Sequence, residues 1–262
     1  MALNPNHKPV LAVLGVGPGI GEAVSQHFAA QGFAVALMAR TEEKLRHIRN
    51  AIRARHGPDS AQYYVADARL NESVVQAFSA VKRDLGPVNV LVYNAGSRRL
   101  GPRTILETSP EEFESFTRIN MTGAFFAARC VLPDMLAAGA GTIIFTGATA
   151  SVRGSPGLGA FSPAKFGLRA LSQVLAREFQ AKGVHTAHVI VDGPVESDII
   201  GGYVRKQWEK NGEMDKLKEV DRYLMQPADL AKLYWYLHTQ PRSTWTQELD
   251  VRAEQEAIFS KL

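Results

Sequence analysis

The residues best suited to chemistry stand together near the start of the chain. In VLAVLGVGPGIG, residues 10–21, an apolar run breaks into Gly15, Gly17, Gly19 and Gly21. Glycines let a backbone come close to a pyrophosphate, and the unpaired N–H groups at the opening of a following helix hold its charge. The spacing of Ala23, Val24, His27 and Phe28 predicts that helix. Before the glycines, Val10, Leu11, Val13 and Leu14 read as a strand buried on both faces. Strand, glycine turn and helix opening make a phosphate cradle.

Other reactive side chains are less organised. His185 and His188 fall on one predicted strand with two residues between them, so they point to opposite faces and cannot share a metal. The remaining histidines have no ligand spacing, and no metal site is expected. Cys130 is the only cysteine, which excludes an internal disulfide, and its apolar setting (AARCVLP) reads as a buried core thiol rather than a nucleophile. Trp208, Trp235 and Trp245 read as packing or subunit-contact residues, with the aromatic helix LAKLYWYLH as one surface for pairing.

The elements that must position these groups follow from periodicity. Strands are predicted at 33–39, 62–65, 88–93, 142–146, 185–191 and 245–251, and helices at 41–56, 71–85, 109–138 and 227–237. Ser109-Pro110-Glu111-Glu112 is a helix start, and Pro133 is the expected bend in the long helix it opens. A further helix surrounds Lys165, with Phe166, Leu168, Leu171, Val174 and Leu175 on its apolar face. Residues 193–225 loosen into a charged stretch, as expected of a lid on the substrate side. The alternation predicts one α/β domain over residues 1–262, a single Rossmann-type doubly wound parallel sheet flanked by helices.

The 262 residues carry a formal net charge of +4, which suits an anionic cofactor or an acyl thioester. No basic cluster is interleaved with aromatics, so nucleic acid is not an expected partner. No apolar run approaches a membrane span, and MALNPNHKP lacks the apolar core of a signal peptide. Ser260-Lys261-Leu262 spells the peroxisomal import tripeptide, which predicts a peroxisomal location in a eukaryote and a cytoplasmic one otherwise.

Along nearly its whole length the chain resembles the short-chain dehydrogenase/reductase family. The family's Thr-Gly-x3-Gly-x-Gly maps onto Leu14, Gly15, Gly19 and Gly21, with Ile20 inside the motif. Its adenine-contacting Asp maps onto Asp67, followed by Ala68, and its Asn-Asn-Ala-Gly onto Tyr93-Asn94-Ala95-Gly96. Its catalytic Asn maps onto Asn120, and the turn beside the nicotinamide onto Asp192-Gly193-Pro194-Val195, with Ser197 where a threonine is common. The resemblance implies an oxidoreductase with a nicotinamide cofactor, a small-molecule substrate, and a homodimer or homotetramer. About twenty residues past the glycines, where a carboxylate would bind both ribose hydroxyls, stand Ala39 and Arg40. Losing the carboxylate and gaining a guanidinium favours the 2′-phosphate of NADP(H).

The catalytic pattern departs from the family. Tyr-x3-Lys maps onto Phe161-Ser162-Pro163-Ala164-Lys165, so the amine is present and the phenol is not. The family's Ser, thirteen residues earlier, maps onto Ala148, with Thr146, Thr149 and Ser151 nearby. A phenyl ring donates no proton. In one reading hydride transfer continues, with the proton from Ser162, Ser151, Tyr203 or a water held by Asn120 and Lys165. Conjugated-alkene reduction fits this reading, because hydride adds to carbon and the enolate oxygen needs only hydrogen-bond donors. The family's peroxisomal 2,4-dienoyl-CoA reductases also lack the tyrosine, and Arg98, Arg99 and Arg103 would then face a CoA phosphate. In a second reading NADP(H) is a redox-inert ligand of a sensor, scaffold or non-redox catalyst. In a third, another hydroxyl occupies the place of the tyrosine.

Overall fold

Seven apolar runs line up side by side in the computed structural model, which describes residues 8–96 and 103–255. The strands are β1 (Val10–Leu14), β2 (Ala34–Ala39), β3 (Ala61–Val65), β4 (Val88–Tyr93), β5 (Gly141–Thr146), β6 (Val184–Val191) and β7 (Glu248–Val251). Their order is β3-β2-β1-β4-β5-β6-β7, and every neighbouring pair is parallel. Around the sheet lie α1 (Ile20–Ala30), α2 (Glu42–His56), α3 (Asn71–Asp84), α4 (Pro110–Thr117), α5 (Gly123–Ala138), α6 (Phe161–Phe179), α7 (Ile200–Lys210), α8 (Met214–Lys218) and α9 (Pro227–Thr239). This is the doubly wound parallel sheet that the alternation predicts.

Uniformly apolar strands require cover on both faces, and both are covered. All five residues of β1 and all eight of β6 are buried. Successive β1 side chains go to opposite layers: Ala12 and Leu14 join Tyr93, Phe145 and the apolar faces of α3 and α5, while Leu11 and Val13 join Phe28, Ile48 and Leu237 from α1, α2 and α9. Trp235 adds edge-on ring contacts to Phe28 and Phe33, and Trp245 stacks on His185 with ring centroids 4.9 Å apart. Packing thus accounts for both tryptophans. The strand order reverses between β1 and β4, which opens a crevice at the carboxyl ends of the strands.

Three local expectations change. The long helix does not run unbroken from 109 to a bend at Pro133: it is interrupted at Arg118–Thr122 by a wide π turn. There the Asn120 amide donates to the Phe116 carbonyl at 2.9 Å, competing with the regular backbone ladder. Pro133 sits inside α5. Residues Pro110–Ala138 are long and apolar enough to cross a membrane, contrary to the expectation that no run is. The apolar stripe Ala124, Ala127, Ala128, Val131 and Met135 is instead spent on the core. Trp245 also precedes β7 rather than opening it, in the turn that follows Arg242–Thr244.

Between β6 and α9 the charged stretch folds into α7 and α8. Val204, Trp208 and Leu224 bury one another in a separate small cluster, with Leu217, Val220 and Tyr223 at its edge. Its stem is tied where Val195 bridges Met225: the Glu196 N–H donates to the Met225 carbonyl at 2.9 Å, and the Met225 N–H to the Pro194 carbonyl at 3.0 Å. Trp208 is the centre of that cluster, a packing role.

Candidate functional site

The glycine turn is shaped by how closely the chain passes itself. Gly15 has φ +104°, and a Cβ there would lie 2.2 Å from the Ala95 nitrogen, so only glycine fits against the end of β4. The Asn94 side chain closes this contact by donating to the Gly15 carbonyl at 2.9 Å, and the Asn94 N–H donates to the Leu14 carbonyl at 2.8 Å. Around Gly17 and Gly19 a Cβ would meet nothing within 4 Å, which leaves space above the turn for a ligand. Among the described residues no side chain caps α1, which leaves the N–H groups of its first residues, Ile20 and Gly21, for an anion, while the Glu22 N–H donates to the Gly17 carbonyl at 3.2 Å.

At the far end of β2, Ala39 is half-buried and Arg40 exposed, with its charge acting on Asp67. The Asp67 carboxylate is gripped by Arg69, through Nη2 at 2.5 Å and Nε at 3.0 Å, and that hydrogen bonding holds its pKa below the usual carboxylate value. Its carboxylate is thus already committed within the chain. Ala68 is buried beneath α5, while Ala95 and Gly96 continue from β4 toward Asn120.

Across the switch point lie the residues aligned with the catalytic set. Lys165, in the first turns of α6, is 5% exposed and donates from Nζ to the Thr146 carbonyl at 2.9 Å. Burial alone pulls its pKa down to about 8. The ring of Phe161 stands 5.7 Å from that nitrogen and packs edge-on against Phe116 at 6.2 Å. A phenyl ring and not a phenol thus stands beside the Lys165 amine. Tyr93 does carry a phenol near the crevice, but it is wholly buried, donates to the Ile119 carbonyl, and burial raises its pKa. It tethers the π turn that carries Asn120.

The other hydroxyls sort by what they already hold. The Thr146 hydroxyl pairs with Tyr234 at 2.7 Å. Ser151 is fully buried and accepts from the Ala148 N–H at 3.2 Å. The Ser162 hydroxyl is buried without a hydrogen-bond partner among the described residues. Tyr203 is half exposed on α7, and Ser197 accepts from the Ile200 N–H. The Thr149 hydroxyl donates to Asp192, whose other carboxylate oxygen takes Arg252 at 2.9 Å.

Behind Lys165 is a polar group that sequence reasoning missed. Arg169, one turn along α6, forms a two-pronged pair with Glu248 of β7 at 2.6 and 2.7 Å. Glu248 also lies 3.6 Å from Nδ1 of His188, which is fully buried and whose pKa desolvation lowers to about 4. A Cβ on Gly147 would lie 2.4 Å from that imidazole, so Gly147, just past β5, is where the chain makes room for it. The i,i+4 spacing of Lys165 and Arg169 is the one sequence feature that could have drawn attention to it. His185 and His188 do face opposite sides, as the strand period requires.

Cys130 is half-buried rather than a core thiol. It lines a groove of about 360 Å³ between α3 and α5, bounded by Phe78, Lys82, Phe126 and Asp134, because it falls at the edge of the buried stripe. Desolvation raises its pKa, which makes it a poor nucleophile. Arg103 pairs with Glu112 at 2.9 Å, so its charge is partly answered within the chain. Arg98, Arg99 and the terminal Ser260-Lys261-Leu262 lie outside the described residues.

Residues 9–208 match the family model described as short chain dehydrogenase. Among solved structures, a short-chain dehydrogenase from Rhodopseudomonas palustris is 34% identical, with TM-score 0.76 over 93% of this chain and 98% of that one. An actinorhodin polyketide ketoreductase with NADPH is 27% identical, with TM-score 0.80 over 94% and 96%. A short-chain oxidoreductase from Pseudomonas aeruginosa PAO1, described as containing an atypical catalytic centre, has the same identity, score and coverage. The chain belongs to the short-chain dehydrogenase family of oxidoreductases.

Proposed function

We propose that this protein binds NADP(H) in the crevice and passes its hydride to a conjugated alkene of the enoyl or dienoyl type, in a centre that works without the family's phenol. One observation carries the reading: the Phe161 ring stands over Lys165 while the buried amine and the glycine cradle remain in place. The opening of α1 would hold the pyrophosphate, Arg40 the 2′-phosphate, and Asn94 and Lys165 the nicotinamide-side ribose. The cofactor supplies a hydride. Lys165 would stabilise charge on the substrate oxygen and, with Asn120, hold a water, and the Lys165 pKa near 8 suits proton exchange near neutral pH. Likeness to the ketoreductase with NADPH supports the cofactor, and likeness to the oxidoreductase with an atypical centre supports a departure from the usual catalytic set. Residues 193–225 would cover the substrate side. A homo-oligomer and, in a eukaryote, a peroxisomal address complete it.

The test combines binding and turnover. NADPH and NADH are titrated by nicotinamide fluorescence; loss of reduced-nicotinamide absorbance is then followed with ketones, aldehydes, enones and enoyl thioesters. The expected outcome is preference for NADPH and turnover of conjugated alkenes alone, with carbonyl reduction appearing in the Phe161→Tyr, Ala148→Ser double variant. Tight NADPH binding with no turnover of any class would overturn hydride transfer in favour of a redox-inert ligand. Absence of binding would overturn the cofactor assignment.

A further inference from the structure

Where the strand order reverses, the two halves of a dinucleotide lie on opposite sides of the switch point. The end of β2, with Arg40, belongs to one half, which leaves the carboxyl ends of β4, β5 and β6 for the nicotinamide half. Asp192 is the first residue past β6. Three neighbours fix it there: its N–H donates to the Val251 carbonyl at 2.9 Å, one carboxylate oxygen accepts from the Thr149 hydroxyl, and the other takes Arg252. Its side chain is only 17% exposed. Glu196, the next carboxylate along, turns instead to Arg205 at 2.5 Å. A negative charge that cannot swing away thus stands at the end of the crevice where the nicotinamide half would lie.

We propose that Asp192 sets the electrostatic poise of the bound cofactor, favouring the oxidised, cationic nicotinamide over the neutral dihydro form. This rests on the NADP(H) reading and adds a direction to it. When the hydride, an electron pair with its hydrogen, leaves for a substrate carbon, the ring changes from neutral to singly positive. Asp192 lowers the free energy of the charged form alone, because a fixed charge acts on the difference between the two states. Arg252 offsets part of that field. Bound NADPH is thereby a stronger hydride donor, and the site is biased toward reduction.

The decisive measurement is the ratio of the dissociation constants of NADP+ and NADPH, obtained by calorimetric titration of each form. Phosphates, riboses and adenine are shared, so the ratio reports the ring. Asp192→Asn keeps the shape of the side chain and removes its charge, and should raise the NADP+/NADPH ratio by about tenfold. Arg252→Gln removes the opposing charge and should lower the ratio. Damage to the fold weakens both forms together and cannot move the ratio in opposite directions. A ratio unchanged in both variants, or shifted the same way in both, overturns the proposal. If Asp192→Asn fails to fold, Arg252→Gln is read beside Asp250→Asn, because Arg252 also pairs with Asp250 at 3.0 Å: only a fall in the first with no change in the second is compatible. Failure of the unmodified protein to bind either form refutes the NADP(H) reading itself, a separate result.

Discussion

The two sides of the crevice are built on different terms. On the β1 side the ligand-facing surface is backbone: the glycine turn, held 2.2 Å in virtual-Cβ terms from Ala95 and pinned by Asn94. On the β5–α6 side it is side chains mounted on regular elements: Lys165, Phe161, Ala148 and the Thr149–Asp192 pair. At Gly15 and Gly21 that backbone surface admits almost no substitution, because a Cβ would meet neighbouring backbone at 2.2 and 2.8 Å. A side-chain surface exchanges its chemistry while the helix and strand beneath it stay put. Here that surface carries two apolar groups, Ala148 and the Phe161 ring beside the Lys165 amine, and Phe161 packs on Phe116.

The sharpest way to break that comparison is to make changes of similar size on each side. Gly15→Ala adds one methyl where φ is +104° and the nearest atom is backbone. It should cost about 3–5 kcal/mol of stability by denaturant unfolding, whereas Phe161→Tyr, which adds one oxygen at a half-buried position, should cost under about 1 kcal/mol. Equal costs would erase the distinction.

Next in size is Lys165. Its folded pKa of about 8 lies below the ordinary lysine value of 10.5, so between those pH values the unfolded chain binds more protons than the native one. Stability therefore rises with pH across that window, and below pH 8 the cost of burying the charge is fully present. Lys165→Met should be more stable than the parent at pH 7 by roughly 3 kcal/mol, a gap that closes toward pH 10.5, while its NADPH affinity falls. Thermal melts across pH check the first claim and titration the second.

The smallest effect is expected from Arg40→Ala, on an exposed side chain. Losing one charge-assisted contact to a phosphate should weaken NADPH binding by about 10–100-fold and leave NADH binding nearly unchanged. Parallel titrations read the difference, and equal losses would remove Arg40 from the 2′-phosphate.

The backbone side was legible in the sequence because close approach demands glycine, and glycine spacing is visible without coordinates. Lys165 and Asn120 were legible through motif position, and so were the phenylalanine and alanine that break the pattern. The π turn was not: Pro133 is a loud local signal, yet the ladder yields at Asn120, whose amide reaches back to Phe116. Nor was the Arg169–Glu248–His188 group, since partners 79 positions apart meet only once the sheet is assembled. Asp192 drew notice as part of a turn, but its fixation by Thr149 and Arg252 needs β6, β7 and the turn after β5 in place together.

The excursion between β6 and α9 holds its form through Trp208 and its neighbours, and is joined to the sheet by a short paired stem. Shape kept by an internal nucleus is shape that does not depend on the floor beneath it. The outward residues of α7, Tyr203 among them, are therefore free to vary in what they admit. Under the proposed function, what the excursion admits and how the sheet presents the cofactor would be inherited on separate parts of the chain, and one could drift without disturbing the other.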